Sequence, residues 1–168
     1  MRGFIICVAL TIIASCSDHH ARSGDVTFDN PIEYNDFIVD QQNVIIEHMI
    51  ELSNSYDNGE RDTIQDAFNC LVIACDSSKA LIDNLTAYEN DSTLKISASE
   101  LFNFYSSIFH KEYKEMLDIF LKGELASDTE ISRLNNIVTY VREKEEDLNL
   151  KLTASQHSFS QKYGFKFE

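Results

Sequence analysis

Ser127-Asp128-Thr129-Glu130-Ile131-Ser132-Arg133-Leu134 is the stretch from which the fold is read. Ser127 and Glu130 stand three apart, so the hydroxyl accepts from the Glu130 N–H while the carboxylate accepts from the Ser127 N–H. That capping box starts a helix. Behind it Ile131, Leu134, Val138, Val141, Leu148, Leu152 and Phe159 recur at heptad spacing, with Glu145 and Ser155 at the remaining seam positions. The pattern predicts one helix to Tyr163, roughly 50 Å long at 1.5 Å per residue. Gly164 is its natural stop, and Phe165 and Phe167 are expected to fold back onto the bundle end.

Three further amphipathic segments precede it. The first runs from Pro31 to about Tyr56, with Asn30 as N-cap, Pro31 where a missing N–H costs nothing, and Asn58-Gly59 as the stop. Its stripe is Tyr34, Ile38, Ile45, Met49, Leu52 and Tyr56. The second runs from about Arg61 to Tyr88 through Ile64, Phe68, Leu71, Cys75, Ile82 and Leu85, is interrupted by Ser78, and breaks at Asn90-Asp91-Ser92. The third, about Ser97 to Leu121, has the heaviest core face: Leu101, Phe102, Tyr105, Ile108, Phe109, Tyr113, Met116, Leu117 and Phe120. Short connectors between long helices require antiparallel neighbours, so the expected fold is all-α, an up-down-up-down antiparallel four-helix bundle over residues 29–168. Gln41, Ser78, Glu145 and Ser155 interrupt the apolar seams, where they either set helix register or sit at solvent-facing edges.

The N-terminus has a different composition. Arg2, an apolar run from Phe4 to Ile13, and Ile13-Ala14-Ser15 lead directly into Cys16. The run is too short to cross a bilayer core, which needs roughly 20 apolar residues, and it fits the apolar region of an export signal. Its end is similar to the bacterial lipobox, which implies a lipoprotein signal peptide at 1–15 and lipidation at Cys16. Acyl chains there give stable attachment to a membrane at roughly 0.8 kcal/mol per buried CH₂. An ordinary signal cut after Ala14 or Ser15 is the alternative. Ser17 in place of aspartate resembles the outer-membrane sorting pattern, on the periplasmic face or at the cell surface. Residues 16–28, with His19-His20, read as the lipidated cysteine and its tether.

Once Cys7 leaves with the signal and Cys16 is acylated, Cys70 and Cys75 are left. On a regular helix positions i and i+5 lie about 8.5 Å apart, beyond the usual disulfide reach of up to about 7 Å. Two buried free thiols are therefore expected. A bridge between them would need a distorted helix, and a metal site lacks suitably spaced histidines.

The chain carries 28 acidic and 14 basic side chains, a net charge of −14. The excess is uneven: residues 25–100 hold 16 Asp/Glu against three Lys/Arg, whereas residues 101–168 hold 11 against nine. This argues against nucleic-acid binding, because no basic stripe exists to displace counterions from phosphates, and against adhesion to anionic lipid beyond the acyl chains. Either the first hairpin is merely well solvated, or Glu47, Glu51, Asp62, Asp66, Asp76 and Asp83 present a negative face to a protein partner with a basic surface.

Catalytic patterns are weak. Glu112, Glu115 and Asp118 share a stretch with His110, but the paired Glu-x-x-His helices of a di-iron bundle and the His-Glu-x-x-His motif are both missing from the sequence. His48 beside Glu47 and Glu51 reads as a boundary histidine rather than a ligand, and His157 between Gln156 and Ser158 has no nucleophile or orienting acid nearby in sequence. No catalytic, cofactor-binding or metal-ligating residue is assigned, and no cofactor is expected.

Tyr34-Asn35-Asp36-Phe37-Ile38 with Gln41-Gln42, and the closing Phe159-Ser160-Gln161-Lys162-Tyr163-Gly164-Phe165, resemble a family of small bacterial helical surface proteins and lipoproteins of leptospiral and Bacteroidota type. The resemblance implies an exported helical domain and transfers no activity. The expectation is thus a non-enzymatic, membrane-anchored interaction module of the bacterial envelope. The alternatives are an immunity-like inhibitor of a basic toxin, and a small-ligand binder whose pocket is lined by Tyr105, Phe109 and Tyr113.

Overall fold

A computed structural model describes residues 25–166; Cys16, His19-His20 and Phe167 lie outside them. Four long helical rods make up the fold, with no named strand among the described residues. They are α1 (Pro31–Asn58), α2 (Arg61–Asp83), a third rod composed of α3 (Thr93–Ile108), a π-helical turn (Phe109–Tyr113) and α4 (Lys114–Phe120), and α5 (Asp128–Tyr163). No helix among the described residues is long and apolar enough to cross a membrane.

The outer two rods begin and end where local chemistry directs. The Asn30 side chain accepts from the Ile32 N–H at 2.9 Å, and Gly59 closes α1 at φ 68°, a left-handed value that a side chain would strain. Both halves of the capping box form at Ser127 and Glu130, and Gly164 closes α5 at φ 74°. Phe165 does fold back, its N–H donating to the Ser160 carbonyl at 3.1 Å and its ring lying 6.0 Å from Phe159.

The middle departs from expectation. α2 stops at Asp83 rather than near Tyr88, because Leu85 is drawn into parallel pairing with Val26: the Val26 N–H donates to Asn84 and the Thr86 N–H to Val26. A tight turn with left-handed Glu89 and Asn90 follows, and α3 begins at Thr93 rather than Ser97. The third rod is not a regular helix either. The π turn adds a residue to the coil; Phe109 is buried in it, Tyr113 is half-buried, and Glu112 keeps a buried Oε2 with no hydrogen-bond partner among the described residues.

Residues before 29, expected to belong to the tether, also join the fold: Val26 and Phe28 pack against the core, and Phe28 meets Phe37 at 5.1 Å and Tyr34 at 6.1 Å.

One contiguous core runs between the rods, from Tyr34, Ile38 and Ile45 through Leu71, Leu101 and Phe102 to Leu148, Leu152 and Phe159. Polar pairs give the packing its register. Ser97 meets Ser155 at 2.7 Å, Tyr105 donates to Glu145 at 2.9 Å, and Arg133 reaches back to Glu115, so α5 numbering falls as third-rod numbering rises. Gln156 with Asn35 and Asn149 with Gln42 repeat that opposed order on the α1 side. Glu145 and Ser155 thus set register, while Ser78 is simply buried.

Expected core positions on the exposed half of the molecule do not all go in. Ile131, Val138 and Phe120 are each about half exposed, at 47 %, 50 % and 49 %. The expectation of two buried free thiols also fails. Cys75 is buried and free, whereas Cys70 is half-buried and disulfide-bonded, and the two are not joined to each other.

Candidate functional site

The acidic hairpin divides into tied and open carboxylates. Glu51 meets the His48 imidazole at 2.8 Å and Asp83 pairs with Lys79. Asp76 is half-buried against α3, accepting from the Ser106 hydroxyl at 2.9 Å and facing His110 Nε2 at 2.9 Å. Glu47, Asp62 and Asp66 are exposed, and no hydrogen bond or ion pair among the described residues engages them. Of the six acids of the expected face, these three are the ones a partner could reach without first breaking an internal contact.

Ser106, Asp76 and His110 bring together the residue types of a catalytic triad in an unproductive order. A nucleophilic hydroxyl needs the imidazole on it and the carboxylate behind the imidazole. Here the carboxylate sits between the other two and ties α2 to α3.

An open cleft of about 380 Å³ lies between α4 and the start of α5, lined by Glu115, Asp118, Ile119, Lys122, Thr129, Glu130 and Arg133. Its charges already satisfy one another: Arg133 grips both oxygens of Glu115 at 2.9 Å and Lys122 pairs with Glu130. The Lys122 hydrogen bond, with help from Ser127, holds the Glu130 carboxyl down at about 2. The cleft is a clasp between two elements.

The aromatic third rod is mostly packing. Tyr105 stacks on Phe109 at 6.0 Å with rings 6° from parallel, and Phe109 meets Tyr113 edge-on at 5.0 Å. The Tyr105 hydroxyl is occupied by Glu145. Burial, then the neighbouring Glu145 charge, pushes the Tyr105 phenol well up and Tyr113 to about 12, and burial pushes the Cys75 thiol to about 12. All three are neutral at physiological pH.

Sequence reading missed the densest cluster. Tyr34 stacks on Phe159 at 5.4 Å; Tyr88 lies edge-on to Phe159 at 5.5 Å and to Tyr163 at 4.9 Å; and Phe28, Phe37 and Phe165 close the edges. Asn35 and Gln156 are buried beside it, joined at 3.1 Å. The Tyr88 hydroxyl donates to the Asp29 carbonyl, and Lys162 pairs with Asp91 across the rim at 2.7 Å. The two motifs that carry the family resemblance, at opposite ends of the chain, meet here.

Comparison with protein-family models, curated proteins and solved structures finds no match.

The arrangement can therefore do two things. The end where the chain enters the fold is fastened by interlocked rings, and the first hairpin offers open carboxylates. No group of three potential metal-ligating side chains occurs among the described residues.

Proposed function

We propose that this protein is a non-enzymatic, membrane-anchored lipoprotein of the bacterial envelope that engages a basic protein partner through its acidic first hairpin. The observation that carries this reading is the set of exposed, unengaged carboxylates Glu47, Asp62 and Asp66, in a half of the chain where acids far outnumber bases. A field of one sign accelerates encounter with an oppositely charged partner and is screened by salt. The scaffold in this reading is the up-down-up-down four-helix bundle, supported by the opposed register of the polar pairs on α5. The family resemblance enters as support from its two short motifs alone.

The anchor is the acylated Cys16, and its geometry is economical. The span from Cys16 to the docked Val26 reaches at most about 35 Å when extended, which holds the aromatic end within that distance of the membrane. The immunity-like alternative has the same physics with a toxin as the basic partner. The ligand-binding alternative is disfavoured by the stacked Tyr105 and Phe109 and by the engaged Tyr105 hydroxyl.

Crosslinking and affinity capture from intact cells, with mass spectrometry of the bait's N-terminus and of its partners, tests the proposal. The expected result is a triacylated Cys16 and a reproducible basic partner, lost with Cys16→Ala and weakened by Glu47→Gln, Asp62→Asn and Asp66→Asn together. An unmodified N-terminus overturns the anchor. The bonded Cys70 stands against this anchor, because with Cys75 free only Cys7 and Cys16 remain in the chain as its partners; a disulfide at Cys16 overturns the anchor, since a thioether leaves that sulfur no second bond. Capture that is insensitive to salt and to the three substitutions overturns the acidic face.

A further inference from the structure

Three buried side-chain oxygens among the described residues have no hydrogen-bond partner, and two of them, the hydroxyls of Tyr34 on α1 and Tyr163 on α5, belong to the aromatic cluster. Tyr34 is fully buried. Both rings border the same two neighbours: Tyr34 lies 5.5 Å from Tyr88 and 5.4 Å from Phe159, and Tyr163 lies 4.9 Å from Tyr88 and 4.6 Å from Phe159. Further polar groups surround the two hydroxyls. Burial pushes the Tyr34 phenol up to about 12; the Tyr88 backbone N–H, directed at its oxygen without completing a hydrogen bond, opposes that rise, and the Asp91 carboxylate and the Tyr163 phenol add to it. Tyr34 is therefore neutral at physiological pH and can donate as well as accept. Asp91, whose side chain is 15 % exposed, pairs with Lys162 at 2.7 Å, and the Lys162 ammonium stands 4.9 Å from the Tyr163 ring centre.

We propose that Tyr34 and Tyr163 hold a buried water molecule between their hydroxyls, shut off from solvent by the Asp91–Lys162 ion pair. A buried hydroxyl without a partner is costly, and native interiors leave few of them. Two within one cluster share one remedy, a guest that accepts from one and donates to the other. Size selects the guest. The surrounding rings are in mutual contact, so a guest of several heavy atoms cannot enter without parting them, whereas a water needs about one probe sphere of space and two to four polar partners. The two hydroxyls supply the first pair of partners, and the Tyr88 N–H and the Asp91 carboxylate stand in the same group. The water adds a directional link between α1 and α5 where the rings only pack. This site needs neither the acyl anchor nor the acidic face.

A crystal structure of the full mature chain, at a resolution that shows ordered water, tests the site directly. The expected result is one oxygen atom within hydrogen-bonding distance of both hydroxyls. A direct hydrogen bond between the two hydroxyls, a water on only one of them, or no water on either overturns the bridge. Urea denaturation of Tyr34→Phe, Tyr163→Phe and the double variant, all of which keep the rings, supplies a second reading. Each single substitution is expected to lower the folding equilibrium constant about fivefold, the size of one net hydrogen bond, and the double variant by less than the product of the two, because both remove the same bridge. A single substitution that raises the constant shows a hydroxyl with nothing bound to it and overturns the water; losses that multiply show two hydroxyls satisfied separately and overturn the bridge. In Lys162→Met the same water is expected to exchange faster, read by magnetic relaxation dispersion of the solvent, and unchanged exchange overturns the closing role of the ion pair.

Discussion

The two ends of this molecule are built from the same rods and differ in what fills the space between them. Where the chain enters, α1 and α5 are zipped by a buried Asn35–Gln156 pair, and Phe159 touches the rings of Tyr34, Tyr88, Tyr163 and Phe165. At the opposite end α5 holds to the third rod by the Arg133–Glu115 and Lys122–Glu130 pairs, while Ile46, Ile50, Ile131 and Val138 face solvent. Burial of aromatic surface stabilises by kilocalories and exposed ion pairs by fractions of one. Interlocked rings are therefore concentrated at one end and accessible apolar surface at the other, where Ile64, Leu117 and Ile137 are nonetheless buried.

The largest expected effect is at Phe159. Phe159→Ala removes a 3 %-exposed ring from the centre of the cluster and should cost about 3–5 kcal/mol in urea denaturation, whereas Ile50→Ala at the other end should stay within about 0.5 kcal/mol. Equal costs would abolish the contrast between the ends. Next comes Gln156→Leu, which leaves the buried Asn35 carbonyl oxygen without its donor and should cost about 1–3 kcal/mol. Adding Asn35→Leu should recover much of that loss, and a double variant no better than the single would show that the pair is not what closes α1 on α5.

At the exposed end, Ser127→Ala removes the cap of α5 and should cost about 1 kcal/mol, with hydrogen exchange accelerated in the first turns of α5 and unchanged near Phe159. Spread of that acceleration along the whole helix would mean that α5 opens as one unit. The smallest effect sharpens the comparison through pH. The Lys162 hydrogen bond, with the Thr93 backbone N–H, holds the Asp91 carboxyl down at about 2. A carboxyl depressed by folding contributes stability that is complete above its unfolded value near 4 and is lost as pH falls toward 2. Lys162→Met should therefore be slightly less stable than the native chain at pH 7, with the deficit shrinking as pH falls through about 2. A deficit undiminished from pH 7 to pH 2 would assign the role of Lys162 to its contact with the Tyr163 ring instead.

What was legible in the sequence is what local chemistry controls. Asn30, Pro31 and Gly59 bound α1, and Ser127, Glu130 and Gly164 bound α5, because each cap acts within a turn of its own helix. The end of α2 was not legible: Leu85 continues the apolar stripe and leaves the helix only because Val26, far away in sequence, takes its backbone partners. The π turn was hidden for a related reason, since an apolar stripe tolerates one extra residue without announcing it. Of the six acids singled out, composition could not separate Asp76, which braces α3, from Glu47, which braces nothing. The aromatic end was invisible because its members are near neighbours only after folding; Asn35 and Gln156 lie 121 residues apart.

The ring cluster gathers both extremities of the folded chain. Phe28 reaches it through Tyr34 and Phe165 through Phe159, so the beginning and the end of the domain emerge side by side. Circular permutation is accordingly open to this fold: a short linker can join the two extremities, and new ones can be cut at Gly59-Glu60 or in the exposed Gly123–Leu125 turn. A permuted chain opened at that turn would carry its two extremities at the opposite end of the molecule without altering a core residue.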